Sequence, residues 1–432
     1  MLKDSFRKYA FAFAIPALML ASCGSDDPDP NDDGNAGGGG NTEPTETVDG
    51  LLSSSEAFDY IQSTAEEAIS LFKPEDQKEV MEVCKAFDEA YGEYDFMGGD
   101  DYDYSPRKFM QTLRKGMRNP LYLTRASYYV YRIDEFAGIY TPNDNRETWE
   151  RTGDSKDIIC RCDLNGKKFE AKMTWSSDSW EVPVDEEEAY AIPSTITVTV
   201  TYGGKQLAKV TIESNASLEG HRAALKISYE VANIQSTSDF NGTDSQLKET
   251  ANVYVGGKRL YATEFTVNGN GLCDINAWAG LEDPTPAQVA AMFRNGEFSI
   301  NILDRIFFTG SAAGLNKVYE ALNFYEESYN TSYSLNEAKK QCEKACNTLN
   351  SNLKAEIKFA GSNAVQGSLT FVPYVYEEKG SSWWDVYPAA AIKYAADNSI
   401  EVLEDTDYDF SVIEEMFNNL VNNYQRFFER LK

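Results

Sequence analysis

In the first stretch that reads as folded, apolar residues recur every three to four positions. Phe58, Ile61, Ala65, Ala68 and Phe72 make one stripe, and Ser53 with Glu56 supplies a capping box ahead of it. A second helix opens at Pro74, with Glu75 and Asp76 in its first turn, where the helix dipole favours anions. Its stripe is Val80, Val83, Cys84, Phe87 and Tyr91, and Gly92 stops it. A third helix is predicted from Pro106 to Arg118. From about Tyr122 the period falls to two. Ile158, Cys160, Cys162 and Leu164 alternate with Ile159, Arg161 and Asp163, and Asn165-Gly166 reads as a type I′ turn. Two further hairpins turn at Gly203-Gly204-Lys205 and Gly256-Gly257-Lys258. Their spacing is too uneven for a propeller or solenoid.

The helical period returns after Thr285-Pro286-Ala287-Gln288, with Gly296 as the expected stop, and one strand is predicted over Phe298 to Phe308. Leu315, Val318, Tyr319, Leu322 and Tyr325 mark another helix. Ser334 and Glu337 cap the next, whose stripe is Ala338, Cys342, Ala345, Cys346 and Leu349. Strands over Ala355 to Phe359 and Ser368 to Tyr376 precede a hairpin turning at Ala396-Asp397-Asn398. Ile413, Met416, Phe417, Leu420, Tyr424, Phe427, Phe428 and Leu431 then hold a 3.6 period in a closing helix. The fold class this predicts is α+β. A curved antiparallel meander sheet built of hairpins carries N-terminal, mid-chain and C-terminal helices on one face. With no linker-like stretch after residue 50, residues 51–432 are expected to form a single domain.

The N-terminal fifty residues follow a different pattern. Lys3, Arg7 and Lys8 precede a 13-residue apolar run, Tyr9 to Ala21, interrupted by Pro16. A spanning helix needs about 20 apolar residues, whereas a signal core needs 7 to 15. The segment Leu20-Ala21-Ser22-Cys23 resembles a bacterial lipobox. That resemblance implies a signal peptide over residues 1–22 and acylation of Cys23, with several acyl chains holding the protein on a bilayer. Residues 23–50 carry eight acids, no bases and the run Gly37 to Gly40, a composition that stays disordered. Such a tether reaches roughly 30 Å as a flexible coil. Ser25-Asp26-Asp27-Pro28-Asp29 resembles the export signal of Bacteroidetes surface lipoproteins. The implied address is the outer membrane, facing outward, with the periplasmic face as the alternative.

Charge changes the choice of partners. The signal carries three bases and one acid and the tether eight acids, so of the total of −29 the body keeps −23. A surface that acidic repels phosphate backbones, which argues against nucleic acid.

Of the seven cysteines, six lie beyond the anchor, and each pair (Cys160 with Cys162, Cys342 with Cys346) falls within an apolar stripe. They read as buried thiols rather than zinc ligands or disulfides, so no metal and no cofactor is expected. His221, the single histidine, sits in Leu218-Glu219-Gly220-His221-Arg222 as a surface-loop residue, with no nucleophile motif to serve. Asp95, Asp100, Asp101 and Asp103, and Asp405, Asp407 and Asp409, offer oxygen ligands but match no EF-hand loop, and read as solvated acids. Trp383 and Trp384, with Tyr376 and neighbouring Tyr374 and Tyr387, form the most suggestive aromatic group. Exposed, they would bind a ligand; turned inward, they would pack the sheet.

The expected role is a non-catalytic binding or accessory module for a glycan, a peptide or a partner outer-membrane protein. The alternative is a carrier or sensor that holds a hydrophobic ligand between curved sheet and helices.

Overall fold

A computed structural model describes residues 50–92, 94–96, 129–183, 188–217, 221–274, 286–328, 334–362, 364–377 and 384–402. Helices α1 (Ser54–Ser70) and α2 (Pro74–Tyr91) lead to strands β1 (Asp95–Phe96) and β2 (Tyr129–Arg132). A 3-10 turn, Ile133–Phe136, precedes β3 (Gly138–Asn143), β4 (Thr148–Gly153), β5 (Ile158–Leu164), β6 (Lys167–Trp175), β7 (Ser179–Pro183) and β8 (Glu188–Pro193). Longer strands follow: β9 (Thr195–Tyr202), β10 (Lys205–Ser217), β11 (Arg222–Val231), β12 (Ile234–Thr243), β13 (Gln246–Val255) and β14 (Lys258–Gly269). Helix α3 (Pro286–Met292) runs straight into β15 (Phe293–Ile302) and β16 (Ile306–Ala312). Helices α4 (Leu315–Ser328) and α5 (Leu335–Asn352) separate these from β17 (Leu353–Phe359), β18 (Val365–Glu377), β19 (Trp384–Tyr394) and β20 (Ile400–Val402).

Seventeen of these strands make one large, mainly antiparallel sheet, and a few helices complete an α+β-like architecture. From β9 to β20 each strand pairs antiparallel with the next. On the other side β6 joins β9, β5 joins β6, and β3 touches both β4 and β5. The expected pure antiparallel meander is corrected in two ways. The β1–β4, β3–β5 and β2–β8 pairs are parallel, and β2, β8 and β7 form a small second sheet.

The three glycine hairpins turn where the sequence placed them. Asn165 and Gly166, Gly203 and Gly204, and Gly256 and Gly257 all adopt positive φ, as type I′ geometry requires. The single strand expected over 298–308 is instead a hairpin. Leu303 and Asp304 both take φ of 56°, and Asn301 holds the turn by accepting from the Asp304 N–H at 2.9 Å. The mid-chain helix ends at Met292 rather than Gly296, because Gly296 is already paired with Val267 in the sheet.

Both predicted capping boxes form, at Ser53 with Glu56 and at Ser334 with Glu337. Helix α1 packs Ala57, Tyr60 and Ile61 against Ile306, Ile357, Phe359 and Ile392, with the Tyr60 and Phe359 rings 4.5 Å apart. Its end and the residues beyond, Ala68, Leu71 and Phe72, rest on Val253, Val255 and Tyr261. Helix α2 sets Val80, Val83 and Phe87 on Cys162, Leu164, Phe169 and Tyr202. Helix α5 buries Cys342 and Cys346 against Phe371, Val375 and Val386, and Ala345 and Leu349 against α4. Each large side chain so buried contributes about 1.5–3 kcal/mol. Cys84 departs from its expected place on the apolar face. It is exposed, because α2 docks through the Val80–Val83–Phe87 arc and Cys84 falls beside it. Gln366, almost wholly buried, accepts from the Leu52 N–H and donates to the Gly50 carbonyl, so the chain enters the body against β18.

The signal, Cys23, the tether as far as Asp49, the predicted helices at 106–118 and 411–431, and Asp100, Asp101, Asp103, Asp405, Asp407 and Asp409 lie outside the described residues. Among the described residues no helix is long and apolar enough to cross a membrane.

Candidate functional site

The β18–β19 hairpin splits the aromatic group that the sequence singled out. Tyr376 stands opposite Asp385 and Trp384 opposite Glu377, so the two side chains leave opposite faces of the sheet. Trp384 is half-buried against Cys342, Cys346 and Val386, and is a packing residue of α5. Tyr376 is 48% exposed on the other face, shared with the Tyr374–Tyr387 ring pair at 5.5 Å. Trp383 lies outside the described residues.

Thiolate chemistry is disfavoured at Cys160, Cys162 and Cys342, whereas the hydrogen bond from Cys342 lowers the Cys346 thiol. Burial pushes the Cys160 thiol up to about 12 and the Cys162 thiol up to about 11. Cys342 is driven up by its hydrogen bond to Cys346 and then by burial. A thiol held protonated is neither a nucleophile nor a metal ligand. Among the described residues no group of three or more histidine, cysteine or carboxylate side chains is placed to hold a metal ion.

His221 occupies the β10–β11 turn in a left-handed conformation, φ 44°, with Nδ1 2.6 Å from Asp244 Oδ2. That hydrogen bond, and then the Asp244 charge, raises the imidazole pKa. Cys273 lies in the same corner, but burial, then the Asp244 charge, pushes its thiol up rather than down. Among the described residues this corner has a histidine and a carboxylate but no activated nucleophile.

A cleft of about 620 Å³ runs between α2 and the β5–β6 and β9–β10 hairpins. Its walls include Glu75, Lys78, Glu79, Glu82 and Lys85, and Lys167 covers the Tyr202 ring at 5.0 Å. Along this cleft Lys78 pairs with Glu82, Lys85 with Glu89 and Lys205 with Glu79.

A partly open apolar row on the described sheet, which no sequence motif marks, runs across four strands. Register sets Phe240 on β12 opposite Glu249 on β13, Glu249 opposite Phe265 on β14, and Phe265 opposite Phe298 on β15. Directly opposed side chains share a face at roughly 5 Å spacing. Phe265 is 42% exposed and stacks on Phe298 at 6.3 Å and 24°. The Phe298 ring lies over Gly310 of β16, where any side chain would collide with it. Phe240 leans toward Gly242, beside Leu247 and Cys273. Glu249 has no hydrogen bond or ion pair among the described residues. Lys248, next to it, faces the other way and holds Glu264 at 2.7 Å. Glu249 is open to solvent, yet enough protein surrounds its carboxyl for burial alone to push its pKa up. Two glycines made this row possible. By removing side chains at 242 and 310 they let rings lie flat on the strands, and a Phe-rich strand beside in-strand glycines is the signal that sequence reading passed over.

Comparison with protein-family models, with curated proteins and with solved structures found no match to this chain.

Proposed function

We propose that this chain is an outer-membrane lipoprotein, anchored through acylated Cys23 and an acidic tether, whose body binds an apolar or amphiphilic ligand without catalysis. The ligand lies along the face of a curved sheet that also carries the helices. Register supports that placement of the helices. The strand positions under α1, α2 and α5 (Tyr261 and Phe359, Phe169 and Tyr202, Phe371 and Val386) fall in one alternating phase across the paired strands. The Phe240–Phe298 row has the same phase and lies beyond the reach of α1.

The observation that carries this reading is Phe265. A phenylalanine 42% exposed in mid-sheet, stacked on a second ring, is apolar area left for something to cover. Native mass spectrometry of protein taken from its own membrane tests it. An apolar adduct is expected on the wild-type chain and absent from Phe265→Ser, and bare protein in both cases would overturn the reading. Intact-mass analysis of the same sample checks the anchor, through loss of residues 1–22 and added acyl mass at Cys23. Protease shaving of intact cells separates the outward from the periplasmic face.

A second reading keeps the glycan, peptide or partner outer-membrane protein as ligand. It rests on Tyr376 and the Tyr374–Tyr387 pair, which make an exposed aromatic patch on the opposite face. Tyr376→Ala would then abolish binding while Phe265→Ser left it intact.

A further inference from the structure

We infer that the aromatic row selects ligands bearing a cationic end, with the ammonium group of an apolar molecule seated at Glu249 between Phe240 and Phe265. The inference rests on the proposed apolar site and adds its chemical selectivity. Glu249 is the charged residue within the row, and the register sets a phenylalanine directly opposite it on each side. Aromatic faces are electron-rich and attract cations, and a carboxylate beside them supplies the counter-charge. An anionic head group placed there would meet the carboxylate's like charge, and a neutral one would gain nothing from it.

The residues around Glu249 favour this assignment. On the same face, the positions flanking Glu249 two residues away are Leu247 and Ala251 on its own strand and Thr263 and Val267 on β14, none of them cationic. The nearby cation, Lys248, is turned away and already paired with Glu264. Burial raises the Glu249 carboxyl above its ordinary value, and an arriving ammonium would draw it back to the charged form. The apolar body of such a ligand has Phe265 and Phe298 to lie on, continuing toward Gly310. The net charge of −29 concentrates cations near the whole surface before any specific contact forms.

The test uses the full-length chain in lipid nanodiscs, with protein-free discs as the blank, and equilibrium dialysis of n-octylammonium, n-octanol and n-octanoate. The inference expects n-octylammonium to bind roughly tenfold tighter than n-octanol, and n-octanoate weakest. Glu249→Gln, which keeps the shape and removes the charge, should bring n-octylammonium and n-octanol to equal affinity. Phe265→Ser should weaken both. Equal binding of n-octylammonium and n-octanol to the wild-type chain, lost in Phe265→Ser, would overturn the cation preference and leave the apolar site standing. Binding of none of the three above the blank would overturn both.

Discussion

Around Glu67, where α1 meets the hairpin turns, two cations close on one carboxylate: Lys258 at 2.7 Å and Arg305 at 2.8 Å. Around Glu249, four residues along β13 from the Val253 that α1 covers, the described neighbours are rings and no cation pairs with it among the described residues. Burial would raise the Glu67 pKa, but the hydrogen bonds from Lys258 and Arg305 outweigh it and hold the carboxyl below its ordinary range. Burial acting alone raises Glu249. The apolar neighbours differ in the same sense, Phe359 being 1% exposed beneath α1 and Phe265 being 42% exposed in the row. One region has its partners within the chain. Among the described residues the other leaves a carboxylate and a half-open ring without such partners, and the proposed binding role rests on that difference.

The sharpest way to break this contrast is to remove the core side of it. Phe359→Ala deletes a ring packed on Tyr60 and is expected to lower unfolding free energy by about 3–5 kcal/mol, read from denaturant midpoints. Phe265→Ser, which removes a ring already 42% exposed, should cost clearly less, about 1–1.5 kcal/mol. A comparable loss in both would mean the row is core and the contrast false. Glu67→Gln comes next, expected to destabilise by about 1–2 kcal/mol, between the values for exposed and buried pairs. Its pKa is lowered on folding, so the stabilisation is present above the ordinary carboxylate pKa and is lost as pH falls through the folded value. The gap between parent and variant should therefore close in acid, a trend that denaturation at pH 7 and at pH 3 would measure.

Local rules in the sequence reached far into this fold. Glycine pairs at 203–204 and 256–257 demanded left-handed turns, and the serines at 53 and 334 demanded helix starts. Both are decided within four residues. The turn at Leu303–Asp304 escaped because its left-handed residues are neither glycine nor asparagine, and side-chain bonds from Asn301 stabilise it instead. Cys84 was misplaced because an apolar stripe tells which arc can dock, not where along that arc the partner strand lies. Tyr376 and Trp384 were grouped by nearness in sequence, whereas the β18–β19 register sends them to opposite faces. The Phe240–Glu249–Phe265–Phe298 row was the least legible of all. Its members come from four strands, and the bulge at Val253–Tyr254 shifts the alignment between two of them by one residue. Periodicity within a strand carries no information about such a shift.

The smallest expected effect is also the one whose sign is most diagnostic. Glu249 has a folded pKa raised above its unfolded value, so ionising it works against the folded state. That penalty is fully present above the folded pKa and disappears as pH falls below the ordinary carboxylate range, the reverse of Glu67. Glu249→Gln should thus be slightly more stable than the parent at pH 7, by up to roughly 0.5 kcal/mol given its exposure to solvent, and indistinguishable from it in acid. Tyr261, on the same face of β14 and opposite Val253, senses the Glu249 charge; its hydroxyl is itself raised, first by burial, and stays neutral across this range. It therefore cannot reverse the trend. Destabilisation by Glu249→Gln at neutral pH would mean that the carboxylate already has a partner within the chain, and the two glutamates would then differ in degree rather than in kind.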